Sequence, residues 1–468
     1  MAKFEDLNHD LLVNILDIFR DDYGALYNCS LVCKQFNILT SRLLYRRVVL
    51  SPPFSPVLNL RDRGTLTEPS QFTSACLPKY ASLVEELRIS GFLSPRPPPL
   101  NVFSTTLFNA VRAAFCRLRV VELTPNTYHE DVFTQTLQAL GDTSTLRDLA
   151  VNSSCTDAPR APLITRIGHL ERLELWDPTR AMLELLPEWL QRLSSETLTE
   201  LHIKGNCGSI TPGVLTGFIS SPLQHRLRAL SLGLSYSLTH DHVFTFLGSF
   251  PQLEELELRY YWQLKEPTVR LTLSQLRKFT VLYAGTQAKR EVLGLCKWMR
   301  KVVSSSPLED LTVICDDGNN DDGNTGPNIS FDSIVDHLSK KHAKTLRFLD
   351  LRSSYVGTTA LKALLSTCLN VEVIYVSASK DALTIFEQLY GQLMNLRMAG
   401  FKVRNVKRNK YKFDRDRVRN LMMAGPPAFR KLIVNGTVWK GSWTTEPDGN
   451  VVFSVEIYRP NKLPWERE

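Results

Sequence analysis

The chain of 468 residues is 43% hydrophobic and carries a formal net charge of +8, which leaves enough core-forming material for one long repeat array plus small end domains. No stretch approaches about 18 uncharged apolar residues and no basic region precedes a leucine run at the N-terminus, so we expect neither a membrane span nor a signal peptide. Nine scattered cysteines without a Cys-x-x-Cys pair predict reduced thiols in a cytoplasmic or nuclear protein, and the four Asn-x-Ser/Thr sequons are interpreted as chance matches.

Residues 1–50 predict two or three short helices, over 8–20, 26–40 and 42–50. Seven of the eleven residues from 10 to 20 are large and apolar, and at helical spacing they cover more than one face. A segment of this size has too little interior to bury all of that surface. One interpretation is a cap on the first repeat. The other is a docking module whose helices face the chain on one side and another protein on the other.

Eleven residues of this segment fall on positions of the F-box motif, which the segment therefore resembles. They are Leu7, Leu11, Leu12, Ile15, Leu16, Ser30, Val32, Cys33, Lys34, Leu44 and Arg46. Asn8 departs from the usual proline, while Phe36 and Tyr45 replace the usual aromatic residues with other rings. The resemblance implies docking on a Skp-type adaptor and thereby on a cullin and RING ubiquitin ligase. The implied adaptor contacts are Leu7, Leu11, Ile15, Val32, Cys33 and Phe36.

Residues 51–80 are predicted to form a linker and a capping helix. Three prolines within 51–64 favour an extended path, and 69–87 predict a helix that leads into the first repeat strand. The proline-rich segment 91–101 is interpreted as a stiff spacer rather than as a polyproline ligand.

From residue 81 to residue 435 one six-residue pattern returns thirteen times, with apolar residues at its first, fourth and sixth positions, as in LERLEL from Leu170 to Leu175. The copies start at Val84, Leu118, Leu146, Leu170, Leu198, Leu227, Leu253, Leu276, Leu308, Leu346, Val371, Leu393 and Phe429. The starts span 345 residues in twelve intervals, so the mean period is just under 29 residues. This recurrence predicts stacked units, because one unit cannot bury its apolar side until a neighbour covers it.

Each copy predicts a strand, in which alternation places Leu173 and Leu175 on one side and Arg172, Glu174 and Trp176 on the other. Helix-like segments follow several copies, at 129–140, 181–193, 289–303, 358–368 and 381–393. Strands alternating with helices predict a parallel sheet with helices outside it, curved because helices are wider than strands.

This pattern resembles the leucine-rich-repeat family over about three quarters of the chain. That family often places an inward Asn or Cys three positions past the last strand leucine, whereas the first five units here carry varied residues. They are Phe92, Asn126, Ser154, Pro178 and Asn206. The predicted fold is thus α/β: a leucine-rich-repeat solenoid of about 13 units over 81–435, preceded by a small all-α F-box over 1–50.

The outward strand residues are the candidate binding surface, because the core does not dictate their identity. They mix charges of both signs with a few large rings, which suits a protein target better than a uniform phosphate backbone. The expected substrate contacts are Trp176, Glu174, His202, Lys204, Arg259, Tyr261, Arg352 and Tyr375. The alternative is that mixed charges simply keep an exposed sheet soluble. Tyr260 and Trp262 are expected to point inward.

Two stretches that suggest metal binding do not fit its requirements. The segment 316–328 resembles a calcium loop, but Asp322 stands where that loop needs glycine and Asn328 where it needs a carboxylate. His240 and His242 have no cysteine or third histidine nearby in sequence. We expect no metal, no cofactor and, since GxSxG, phosphate-loop and HExxH motifs are absent, no catalytic residue.

Residues 402–419 hold nine Lys or Arg against two Asp, which is +7 of the net charge. Such a patch is suited to nucleic acid, nuclear import or an acidic substrate. The alternative is a charged outer face of one unit, with Asp414 capping its helix. Segments 437–445 and 451–459 flank a turn signal and predict a β-hairpin, part of a C-terminal cap over 436–468.

A docking segment followed by a repeat surface is typical of an adaptor, which accelerates a reaction by bringing its partners together. We therefore predict a non-catalytic substrate-recognition subunit of an SCF-type ubiquitin ligase. Two alternatives stay open. One is an F-box scaffold without a ligase role. The other is a basic repeat protein that binds nucleic acid and whose first fifty residues are only a cap.

Overall fold

The computed structural model describes residues 8–20, 22–50, 74–92, 107–127, 133–219, 221–286, 288–316, 329–404, 414–445 and 449–457. Several expectations lie outside these residues: the linker over 51–64, most of the proline-rich segment, the calcium-like loop beyond Asp316, and the part of the basic stretch over 405–413. The described residues fall into two compact units, one reaching Ile210 and the other starting at Thr211.

Seven α-helices and six strands of the first unit lie wholly within the described residues. The helices are α1 His9–Asp17, α2 Tyr23–Ser30, α3 Lys34–Arg46, α4 Pro78–Ala81, α5 Thr134–Gly141, α6 Ala161–Ile164 and α7 Arg180–Glu196. The strands are β1 Arg47–Leu50, β2 Glu86–Phe92, β3 Val120–Thr127, β4 Asp148–Asn152, β5 Arg172–Trp176 and β6 Glu200–Asn206. They pair in chain order and all are parallel.

The second unit contains eight α-helices and ten strands within the described residues. The helices are α8 Pro212–Phe218, α9 Ser221–Arg226, α10 His240–Leu247, α11 Lys289–Val303, α12 Asp332–Lys341, α13 Thr358–Thr367, α14 Asp381–Leu389 and α15 Arg415–Ala424. The strands are β7 Ala229–Leu234, β8 Glu255–Tyr260, β9 Lys278–Tyr283, β10 Asp310–Cys315, β11 Phe348–Val356, β12 Val373–Ala378, β13 Met398–Val403, β14 Lys431–Val434, β15 Thr437–Thr445 and β16 Val451–Ile457. Strands β7 to β14 are parallel, and β15 and β16 continue antiparallel.

The α/β repeat pattern expected from the sequence is confirmed in both units. Strands β2 to β14 correspond to the thirteen apolar hexads, and in twelve of them the strand begins two residues after the first hexad residue. Leu170, Leu173 and Leu175 show the reason, since all three are fully buried. The expected helices over 289–303 and 358–368 are α11 and α13, and helices α11 to α14 pack each against the next.

One hexad was placed in the wrong register. The copy expected from Leu393 starts instead at Leu396, because β13 begins at Met398 and buries Ala399 and Phe401. Leu393 is also fully buried, but it closes the short 3-10 helix Tyr390–Gln392, with its N–H donating to the Tyr390 carbonyl at 3.0 Å. Because Leu393 and Leu396 are both apolar and both buried, the apolar pattern allows the hexad to start at either residue.

The expected helical turn over 42–50 is wrong at its end. Helix α3 stops at Arg46, and residues 47–50 form strand β1, which pairs in parallel with β2. The reason is burial at alternate positions: Val48 is buried in register with Leu87, whereas Arg47 turns outward and its Nε lies 2.8 Å from Glu86 Oε2. The segment predicted as all-α therefore ends in a strand of the repeat sheet.

Candidate functional site

Helix α1 is apolar on two sides, one buried and one exposed. Leu12 and Leu16 are buried and form a small core with Leu39 of α3. Leu11, Ile15 and Ile18, spaced at helical intervals, are 52%, 41% and 79% exposed and form what we name the α1 outer face. An exposed apolar face of this kind is unusual unless something binds it.

The turn between α2 and α3 carries a second exposed apolar stretch. Val32 is 69% exposed, its neighbour Leu31 is nearly as exposed, and Cys33 is exposed as well. Phe36 differs, since it is half-buried and packs against the Leu12, Leu16 and Leu39 core. Four of the six expected adaptor contacts are thus exposed, and Leu7 lies outside the described residues.

Sequence reasoning missed two residues that belong with this surface. Ile18 lies seven positions after Leu11, so helical spacing alone was sufficient to place it on the same face. Leu31 directly follows α2 and precedes Val32. Nothing in the surrounding sequence predicts that Leu31 is exposed while Leu26 of α2 is buried.

In each unit, the outward residues of neighbouring strands form ordered rows, which we call the display face of that unit. Parallel pairing aligns Arg172 of β5 with Glu200 of β6, then Glu174 with His202, and finally Trp176 with Lys204. Four of the eight expected substrate-contact residues, Glu174, Trp176, His202 and Lys204, are therefore side by side on two strands.

Glu174 is the centre of this group. It is buried, with Oε2 accepting from Arg172 Nη2 at 2.5 Å and Oε1 accepting from Trp176 Nε1 at 2.7 Å. Lys204 Nζ lies 3.4 Å from Glu174 Oε1 and 5.3 Å from the centre of the Trp176 ring. Glu174 therefore positions its neighbours, while Trp176 itself stays 38% exposed. His202 is half-buried, with Nε2 3.6 Å from Glu200 Oε2.

In the second unit, Arg352 and Tyr375 form one contact pair on the display face. The guanidinium is fixed to the buried Asp350 through Nε, 3.0 Å from Oδ1 and 2.9 Å from Oδ2. Its carbon lies 4.4 Å from the centre of the Tyr375 ring. The arginine is thus held across the tyrosine by a carboxylate from its own strand.

Arg259 and Tyr261 lie at the C-terminal end of β8. Arg259 Nη2 is 2.5 Å from Asp316 Oδ2, and the Tyr261 hydroxyl accepts from the Ser235 N–H at 2.8 Å. Both residues also line a cavity of about 30 Å³, together with His240 and Trp298. Tyr261 is therefore tied to the preceding strand and is less available than its sequence position suggests.

The neighbouring aromatic residues pack as expected. Tyr260 is buried, with its ring 5.3 Å from His240 and 5.2 Å from Trp298, centre to centre. Trp262 is half-buried and donates from Nε1 to the Ala284 carbonyl at 2.8 Å. Burial lowers the pKa of His240 to about 4, so its imidazole is neutral near pH 7. These rings form a packing cluster.

Other candidate chemistry is sparse in the described part of the chain. It contains no group of three or more His, Cys, Asp or Glu side chains placed to hold a metal ion.

Asp414 caps α15, since its Oδ1 accepts from the Arg417 N–H at 2.6 Å. This cap is the arrangement expected if the basic stretch is the charged outer face of one repeat unit. Among the described helices, none combines the length and apolar composition needed to cross a membrane.

A buried apolar residue lies two positions before most of the strands, and helices separate many successive strands, so the chain has an α/β repeat fold built on a mostly parallel sheet. No protein-family model matches its sequence, and no curated protein does. Solved structures similar to it include TLR13 in complex with ssRNA13, at 15% identity and a TM-score of 0.33, covering 76% of this chain and 44% of that chain. The crystal structure of the Rad7 and Elc1 complex in yeast is another, at 14% identity and a TM-score of 0.43, covering 74% of this chain and 84% of that chain. This chain spans less than half of the TLR13 chain. What it binds is therefore inferred from its own residues.

Proposed function

We propose that this chain is the substrate-recognition subunit of an SCF-type ubiquitin ligase. Helices α1 to α3 bind a Skp-type adaptor, and the display face binds a protein target. The role is positional, because ubiquitin transfer in such a complex is carried out by other subunits and the receptor only raises the local concentration of the target.

The two-sided α1 helix is the observation that supports this proposal most. Leu12 and Leu16 already complete the helical core, so the α1 outer face contributes nothing to it. Burying each of these large side chains against a partner stabilises a complex by about 1.5–3 kcal/mol. This is also the segment in which the F-box resemblance lies, and Leu11 and Ile15 are among its implied contacts.

The decisive experiment is reconstitution with a purified Skp-type adaptor. Leu11→Asp with Ile15→Asp should weaken adaptor binding at least about 100-fold, since two buried apolar contacts are replaced by charges. Met394→Asp is the matched control, because Met394 is similarly exposed at 62% but lies in the second unit. Adaptor binding that survives the double substitution, or that never occurs with the unaltered chain, would eliminate the ligase proposal.

Target turnover separates the proposed function from its alternatives. A receptor subunit shortens the half-life of its bound target in cells, and the Leu11→Asp, Ile15→Asp variant abolishes that effect. A chain that binds the adaptor without changing the half-life of any proximity-labelled protein is an F-box scaffold. A chain that binds no adaptor but retains nucleic acid at physiological salt is a basic repeat protein.

A further inference from the structure

Part of the second unit's display face is apolar. Pairing of β11, β12 and β13 sets Phe348, Val373 and Met398 side by side as outward residues. All three are half-buried, while the residues that follow them in the chain, Leu349, Ile374 and Ala399, are fully buried. Five outward side chains share this character and form what we call the C-terminal patch: Phe348, Val373, Tyr375, Met398 and Ile433.

The same rows of the first unit carry charges instead. The first outward residues of β4, β5 and β6 are Asp148, Arg172 and Glu200, which stand side by side. Arg172 forms ion pairs with Asp148 at 3.5 Å and with Glu200 at 3.6 Å. Solubility alone therefore does not explain an apolar row in the second unit. A contiguous apolar surface with a polar surround is the usual form of a protein contact site.

Two arginines lie over tyrosines beside this patch. Arg352 lies over Tyr375, and the Arg404 guanidinium carbon lies 5.4 Å from the centre of the Tyr355 ring. Arg404 is also fixed by Nε, which donates to Ser377 Oγ at 2.6 Å. Ordering of these side chains before binding lowers the entropic cost of using them in a contact.

The charge of this region is positive. Outward positions from β11 to β16, including Arg404 directly after β13, hold five cationic residues and two carboxylates in the described chain, a balance of +3. The cations are Arg352, Lys402, Arg404, Lys431 and Lys440, and the carboxylates are Asp350 and Glu456. Lys431 and Lys440 stand directly opposite each other on paired strands. On the other side of Lys440 its partner on β16 is Glu456, so one of the two lysines already has a carboxylate opposite it.

We infer that the C-terminal patch binds an acidic protein segment that carries an apolar side chain at its centre. The apolar side chain contacts Phe348, Val373 and Met398, and the flanking carboxylates face Lys431 and Lys440. Nucleic acid fits less well, because base stacking needs open aromatic faces and the two tyrosines carry arginines on theirs. This inference rests on the proposed function only in identifying the segment as part of the ligase target.

A peptide array on the full-length chain tests this. Its members are acidic peptides with a central Leu, Ile, Phe, Trp or Met, the same peptides with serine at the centre, and a single-stranded oligonucleotide of equal charge. We expect at least one apolar-centred peptide to bind about tenfold or more tightly than its serine counterpart. If none does, or if the oligonucleotide competes equally for the same surface, the inference is wrong.

Charge variants then locate the contact. Lys431→Glu with Lys440→Glu should lower peptide affinity about tenfold or more, and Met398→Ser should remove the preference for an apolar centre. Lys278→Glu is the matched control, since Lys278 is outward and exposed on β9. Affinity that falls equally in all three variants would contradict the location. Adaptor binding, measured on the same proteins, reports separately on the ligase proposal, so either proposal can fail while the other stands.

Discussion

The ring of Tyr375 lies against Gly400 on the neighbouring strand, so close that a Cβ atom at Gly400 would be 2.7 Å from two ring carbons. Parallel pairing of β12 and β13 sets these two residues in register. The glycine therefore allows the tyrosine to lie along the sheet, with the Arg352 guanidinium against its ring.

Gly400→Ala should displace Tyr375 and, with it, Arg352. Because ring carbons and strand backbone cannot both keep their places, we expect a loss of about 1–3 kcal/mol in the free energy of unfolding. Urea denaturation measures this loss. Gly391→Ala is the control, since nothing lies within 4 Å of a Cβ placed there. Equal effects of the two substitutions would contradict the proposed role of the glycine.

Truncation of two neighbouring residues of α1 should have very different effects on stability. Leu16→Ala removes a buried side chain from the Leu12 and Leu39 core and should cost about 2–5 kcal/mol of unfolding free energy. Ile15→Ala alters only the α1 outer face and should change stability by less than about 0.5 kcal/mol. Thermal and urea unfolding measure both variants. A large loss from Ile15→Ala would show that this face is already covered by the chain itself.

Glu174→Gln should weaken the first display group. The amide keeps an acceptor for Trp176 Nε1 but leaves Arg172 and Lys204 without the buried carboxylate they share. We expect a loss of about 1–3 kcal/mol, read by urea denaturation. Glu200→Gln is the control, because its side chain is more exposed at 44%, and it should cost less than about 0.5 kcal/mol. Equal losses would mean that burial of Glu174 has no energetic weight.

Stability should fall as the pH drops from about 6.5 towards 4. Burial lowers the pKa of both His240 and His342 to about 4, with His337 and Lys341 adding to the effect at His342. The unfolded chain, in which a histidine pKa is about 6.5, therefore binds more protons in this window, and each unit of depression is worth about 1.4 kcal/mol. Urea midpoints at several pH values measure the slope.

Removing these histidines should flatten that slope. His342→Phe, and more so the His240→Phe, His342→Phe double variant, should lose less stability than the unaltered chain between neutral and acidic pH. The comparison is made on the change with pH and not on the absolute stability, which the larger ring also affects. A double variant with an unchanged slope would show that other groups cause the acid sensitivity.

The positions of the strands could be predicted from the sequence because the repeat is a burial pattern. Leu173 stands at a position of the hexad that must be apolar, and it is fully buried. Strand alternation then assigns its neighbours Arg172 and Glu174 to the outward side. Where two apolar residues compete, as Leu393 and Leu396 do, the pattern permits two registers and only packing selects one. The strand β1 was missed for a related reason, since its partner β2 lies 39 residues further along the chain.

For the candidate sites too, the sequence determined some features and only the tertiary structure decided others. Sequence alone determined that residues 10 to 20 hold more apolar surface than a small helical segment can bury, and that the strands present mixed charges and rings outward. Only the tertiary structure decided that Leu12 packs inward while Leu11 stays exposed, and that Glu174 is buried beneath Trp176 and Lys204. The physical reason is that burial depends on residues that are distant in sequence. Leu39 of α3 covers one side of α1, and Lys204 of the next strand covers Glu174.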